Sequence, residues 1–199
     1  MLGVSGAVSA EAQVGTRRVD VEWREGRPWV SFDARSMIDE HVRREFQSGL
    51  RRSLVYRVYA YSGNGGSPIA IEQLALRVTY DLWDDQYRIQ EQSSAARVEV
   101  VAADLDAALA RCFEIRNVPI GAAQDYRAVQ GENVHFAVLA EFNPVSRSTV
   151  DRVRRLIARG GQLTDERVIG SFVSLFVNRR IGAADRVLRF RSRLFRVPR

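Results

Sequence analysis

The chain has 199 residues, 46% of them hydrophobic and 27% charged, which are values of a folded globular protein rather than a disordered one, and it is long enough to bury a self-sustaining core. Its one cysteine, Cys112, excludes an intramolecular disulfide framework and a multi-cysteine metal site, and all 30 basic residues are arginine, which excludes Schiff-base chemistry, a lysine base and a Walker-type phosphate loop. The net charge of +6 is unevenly placed: residues 143–199 hold 14 arginines against four acids, a balance of +10, and residues 1–142 carry −4, so an anionic partner is expected for the C-terminal quarter.

In chain order, the opening residues are small and weakly apolar and end in Ala10-Glu11-Ala12 before Gln13. That is the small-residue pattern of a signal-peptidase site, although the basic n-region is missing. Residues 1–12 are therefore expected to be the remnant of an export signal, and 13–199 a single β-rich domain working in the cell envelope or periplasm. A disordered cytoplasmic N-terminus is the alternative. No other stretch approaches the roughly 20 apolar residues of a membrane-spanning helix.

Val19, Val21 and Trp23 alternate with Asp20 and Glu22, predicting a strand that turns at 25–28 and returns through Trp29, Val30, Ser31 and Phe32. Asp33 is the expected N-cap of a helix running to about Gln47. Residues 50–61 read as a strand with aromatics on both sides, covered on both faces. The run from Ser62 to Pro68 is a flexible hairpin loop, since its glycines lack the following Lys-Ser/Thr of a phosphate loop.

Residues 69–92 form the clearest hairpin pattern. Leu74, Leu76, Val78, Tyr80 and Leu82 share one face, Arg77, Thr79 and Asp81 the other, and after a turn at 83–86 Tyr87, Ile89 and Glu91 resume the alternation. Its aromatic residues, Trp83 included, are expected to supply core. Residues 96–101 suggest a short strand and 103–113 a helix with Leu105, Ala108, Leu109 and Cys112 along one stripe, which makes Cys112 a buried small hydrophobe. Asn117-Val118-Pro119 closes that unit, and 134–142 is a strand stopped by Asn143-Pro144. A helix is expected through 158, ended by Gly160-Gly161. The type of 164–177 is ambiguous, and the C-terminus alternates as an edge strand with an arginine comb.

Candidate chemistry is sparse. His41 and His135 belong to no metal-ligand motif, and no G-x-S-x-G elbow accompanies the serines. Carboxylates such as Asp81, Asp84 and Asp85 can serve as acid and base or bind a cation, but these three lack the spacing of a calcium loop and read more simply as a turn paired with Arg88. The basic end is the better candidate: Arg152, Arg154, Arg155 and Arg159 on a helix and Arg189, Arg191, Arg193 and Arg196 on a strand form an expected binding surface for an anion or partner.

The stretch L-R-V-T-Y-D-L-W-D-D-Q-Y-R-I at 76–89, with V-A-A-D-L-D-A-A-L-A at 101–110, Val118-Pro119, and the strand ending at Phe142 to Pro144, resembles the domain of unknown function family numbered 4390 of bacterial exported proteins. The likeness covers about residues 50–145. It implies export and a β-rich fold, and it carries over no activity and no catalytic residues.

Together these readings predict an α+β domain, mainly an antiparallel β-sandwich with three or four helices packed on its edges or ends. The expected function is a non-enzymatic envelope module, without a cofactor or an identified small-molecule substrate, that contacts an envelope protein or an anionic lipid surface through its arginine-rich end. The alternatives are a cytoplasmic nucleic-acid-binding module and a hydrolase-like enzyme using Asp81, Asp84 and Asp85.

Overall fold

A computed structural model describes residues 15–63, 66–144 and 184–199. The helices expected within 145–183, the ambiguous segment at 164–177 and the expected signal remnant lie outside these residues.

The fold is α+β and mostly antiparallel sheet. Strands β1 (Val19–Arg24) and β2 (Arg27–Asp33) form the opening hairpin, followed by a 3-10 turn at Arg35–Met37 and helix α1 (Glu40–Gln47). Next come β3 (Arg52–Ser62), β4 (Ala70–Asp81), β5 (Gln86–Gln92), β6 (Arg97–Ala102) and helix α2 (Leu105–Phe113). The chain continues through β7 (Glu114–Pro119), a 3-10 helix at Ala123–Val129, β8 (Asn133–Phe142), β9 (Arg186–Arg191) and β10 (Phe195–Arg196). The small sheet is ordered β1-β2-β7. The large one runs β8-β3-β4-β5-β6, with β9 and β10 both pairing β8 on its far side.

Period-2 alternation sets what each strand buries. In β3, Leu54, Tyr56, Val58 and Ala60 turn inward, opposite Phe142, Ala140, Val138 and Phe136 of β8 and Leu76, Leu74, Glu72 and Ala70 of β4. The small sheet sends Val19, Val30, Phe32, Ile115 and Val118 into the same core, where the Phe32 ring lies 5.7 Å from Tyr56 and 5.8 Å from Phe190. Both helices dock against this core through Phe46, whose ring meets Phe113 at 6.0 Å and Phe142 at 6.1 Å. Buried Cys112 lies on the inward stripe of α2, as its spacing predicts, and burial pushes its thiol far up.

The one polar atom of Tyr56 is satisfied inside the core, because its hydroxyl donates to the Cys112 carbonyl at 2.7 Å. Removing it in Tyr56→Phe leaves that carbonyl without its donor, so a loss of about 1–2 kcal/mol in a urea titration is expected. An unchanged midpoint would show that this bond contributes nothing.

The helix predicted from Asp33 is divided. Asp33 accepts from the Arg35 amide at 2.7 Å and pairs with its guanidinium at 2.5 Å, so it braces the 3-10 turn. Ile38 is then extended, and Asp39 caps α1 by accepting from the Val42 amide at 2.9 Å. Two short acids in sequence offer two competing caps, and the chain uses both.

Asn117-Val118-Pro119, read as the close of a unit, belongs to β7 as the third strand of the small sheet. Among the described residues β7 pairs β2 alone, and proline, which lacks an N–H, is tolerated on such an edge strand. Leu82 and Trp83 are a second correction: the strand ends at Asp81, and the two side chains stand 68% and 96% exposed at the hairpin tip. Only Tyr87 of that group is fully buried, with Tyr80 half-buried and stacked on it at 4.8 Å.

Candidate anion-binding surface

The face of the large sheet turned away from the small one follows from the same registers. Leu139 opposes Arg57 on β3 and Arg189 on β9, and Ala137 opposes Tyr59 and Arg191. The comb predicted at the C-terminus therefore exists for Arg189 and Arg191, which share this outer face while Leu188 and Phe190 turn in.

It does not continue to Arg193. The Ser192 hydroxyl accepts the Phe136 amide at 2.9 Å and donates to the Arg193 carbonyl at 2.6 Å, which interrupts the ladder before β10 resumes opposite Val134 and Asn133. Arg193 instead lies over the Phe195 ring, 5.2 Å from its centroid, and Arg196 sits opposite Asn133. Nor is the strand a bare edge: the Arg17 amide donates to the Arg191 carbonyl at 2.9 Å and the Arg191 amide to the Gly15 carbonyl at 3.1 Å. Arg152, Arg154, Arg155 and Arg159 lie outside the described residues.

Charge pairing separates these arginines from their neighbours. Arg57 pairs with buried Glu141 on the outer face, and Arg186, the first residue of β9, pairs with Asp39 at the N-terminus of α1. Arg189, Arg191, Arg193 and Arg196 form no ion pair with an acid among the described residues. Arg191 also lies near His135, whose ring stacks on Tyr61 at 5.4 Å; burial first and the Arg191 charge second hold that imidazole below its ordinary range.

A further basic group lies across the sheet. Arg51, Arg77 and Arg88, with Thr79, Gln90 and Glu99, line a shallow groove of about 190 Å³. The alternation placed Arg77 on the outer face, but the register joining β4 to β5 is what brings Arg88 beside it. Arg88 is occupied by Asp81 at 3.1 Å and Asp84 at 2.8 Å.

The three acids of the turn are likewise engaged. Asp81 accepts from the Trp83 and Asp84 amides, and its Arg88 bond holds the carboxyl below the usual range. Asp85 accepts the Tyr80 hydroxyl at 2.5 Å. These contacts describe a braced turn, as the pairing with Arg88 predicts. His41, on the exposed side of α1, lies 3.9 Å from Asp185, a proximity that the sequence spacing conceals.

Among the described residues no helix is long and apolar enough to cross a membrane. No protein-family model, no curated protein and no solved structure matches the chain.

Proposed function

We propose that this protein is a non-enzymatic module of the cell envelope that contacts an anionic partner, an acidic protein face or a lipid headgroup layer, through the arginines of its C-terminal strands. The observation that carries the reading is that Arg189, Arg191, Arg193 and Arg196 have no acidic partner among the described residues, whereas Arg186 in the same segment has one. Guanidinium groups without an internal counter-charge supply bidentate donors for phosphate or carboxylate. Such contacts weaken as salt is raised, since the Debye length falls from about 10 Å at 0.1 M to about 3 Å at 1 M.

The test is co-sedimentation with phosphatidylglycerol vesicles, phosphatidylcholine vesicles serving as the uncharged control. Binding to the anionic vesicles is expected at low salt. It should fall at least about tenfold in Arg189→Ala/Arg191→Ala/Arg193→Ala, equivalent to about 1.4 kcal/mol. Unchanged binding by that variant removes the proposal.

One observation favours a second reading. The Tyr61–His135 stack beside Arg191 has the components of a base-stacking platform. Preference for a single-stranded oligonucleotide over the anionic vesicles in the same titration would select nucleic acid instead.

A further inference from the structure

Helix α1 and the head of β9 bring three ligand-bearing side chains together. His41 and Glu45 are one helical turn apart on the same face of α1, and Asp185 immediately precedes β9. One ligand atom from each lies within 4.8 Å of the other two. In a tetrahedral zinc site with bonds of about 2.1 Å, donor atoms are separated by about 3.4 Å. The approach still required is an ångström or so, which the side-chain torsions of half-exposed His41 and Asp185 can provide.

The donors are available. The Asn143 amide nitrogen donates to Asp185 Oδ2 at 2.9 Å, and Arg52 pairs with Glu45 Oε2 at 2.7 Å. Asp185 Oδ1 and Glu45 Oε1 accept no hydrogen bond from a described residue, and among the described residues the His41 ring makes no hydrogen bond, lying 3.9 Å from Asp185 Oδ2 and within electrostatic reach of Asp39. Each carboxylate is thus oriented through one oxygen and open at the other, which is how outer-shell partners hold metal-binding carboxylates.

The charge is favourable as well. Two carboxylates against Arg52 leave a net −1, and the other nearby cation, Arg186, is neutralised by Asp39. Backbone support is firm on both sides: Asp39 caps α1, and the Asp185 amide donates to the Phe142 carbonyl at 3.0 Å.

We infer that His41, Glu45 and Asp185 form a binding site for one divalent transition-metal ion of the zinc class. An imidazole nitrogen with two carboxylate oxygens suits zinc or cobalt better than magnesium, which prefers all-oxygen octahedra. Three protein ligands leave a fourth position for water. The bound ion would link α1 to the head of β9, two elements separated by more than a hundred residues in sequence.

The experiment uses the tag-free full chain titrated with zinc chloride by calorimetry, and with cobalt chloride by visible absorption. One ion per chain is expected, together with a cobalt spectrum of tetrahedral intensity, a melting temperature that rises with zinc, and no response to magnesium. His41→Ala and Asp185→Asn should each weaken zinc binding at least about tenfold. Both should leave the metal-free melting temperature within roughly 2 °C of the parent, because half-exposed side chains contribute little core. Absence of saturable 1:1 zinc binding up to roughly 100 μM, or an affinity unaltered by both variants, overturns the inference.

Discussion

Replacing Phe46 with alanine is expected to lower stability by about 3–5 kcal/mol, the range for deleting a fully buried phenylalanine side chain. Phe46 is 1% exposed and meets rings from two other elements, Phe113 of α2 and Phe142 of β8. The void would open where α1 meets α2 and β8, and the packed rings of Phe113 and Phe142 limit collapse into it. For a chain of this size the loss corresponds to a fall in melting temperature of roughly 10 °C, readable by circular dichroism. Phe46→Leu, which retains most of the volume, should cost less than half as much. A fall of under about 1 kcal/mol in Phe46→Ala would mean that α1 is not anchored through this residue.

Gly121→Ala is the second large effect. Gly121 has φ +66°, a conformation that costs an L-residue about 1–2 kcal/mol. An added Cβ would also lie 2.5 Å from the Ala70 Cβ and 2.8 Å from Asp125 Oδ2. Neither neighbour yields easily: Ala70 begins a central strand, and that Asp125 oxygen accepts the Ala122 amide at 2.7 Å. Strain and overpacking together should cost about 2–4 kcal/mol. Gly131→Ala supplies the control, since its φ of +78° is comparable while the nearest atoms belong to the flexible Arg199 side chain at 3.6 Å. Equal losses in the two variants would show that conformation alone matters and that the close approach to Ala70 does not.

Much of the fold was legible locally. The hairpin at 69–92 was visible because alternation in Leu74, Leu76 and Val78 is matched by Tyr87 and Ile89 across a polar turn, and the pairing Val78 to Ile89 follows. The burial of Cys112 was visible in its helical stripe. Asp33 and Trp83 misled for different reasons. A carboxylate that can brace its own turn is indistinguishable in sequence from one that caps a long helix. A tryptophan at a turn is apolar by composition yet has no sheet face to join once the strand ends at Asp81.

The candidate surface divides in the same way. Arg189 and Arg191 were identifiable as one face of a strand, but nothing in the local pattern reveals that Ser192 takes the Phe136 amide and breaks the comb before Arg193. Arg51, Arg77 and Arg88 come from three segments, and only strand register assembles their groove.

The class of the fold, the main strands and their inward residues, and the basic balance of the C-terminal quarter are all written locally in the chain, because periodicity, turn chemistry and charge are properties of neighbouring residues. Partnership, by contrast, emerges only once the chain is folded. β8 lies between β3 and the pair β9 and β10, β7 completes the small sheet, Asp39 meets Arg186 across 147 positions, and His41 and Glu45 meet Asp185. Strand and side-chain partners far apart in sequence are chosen by burial of the shared core, and that choice leaves no local period to read.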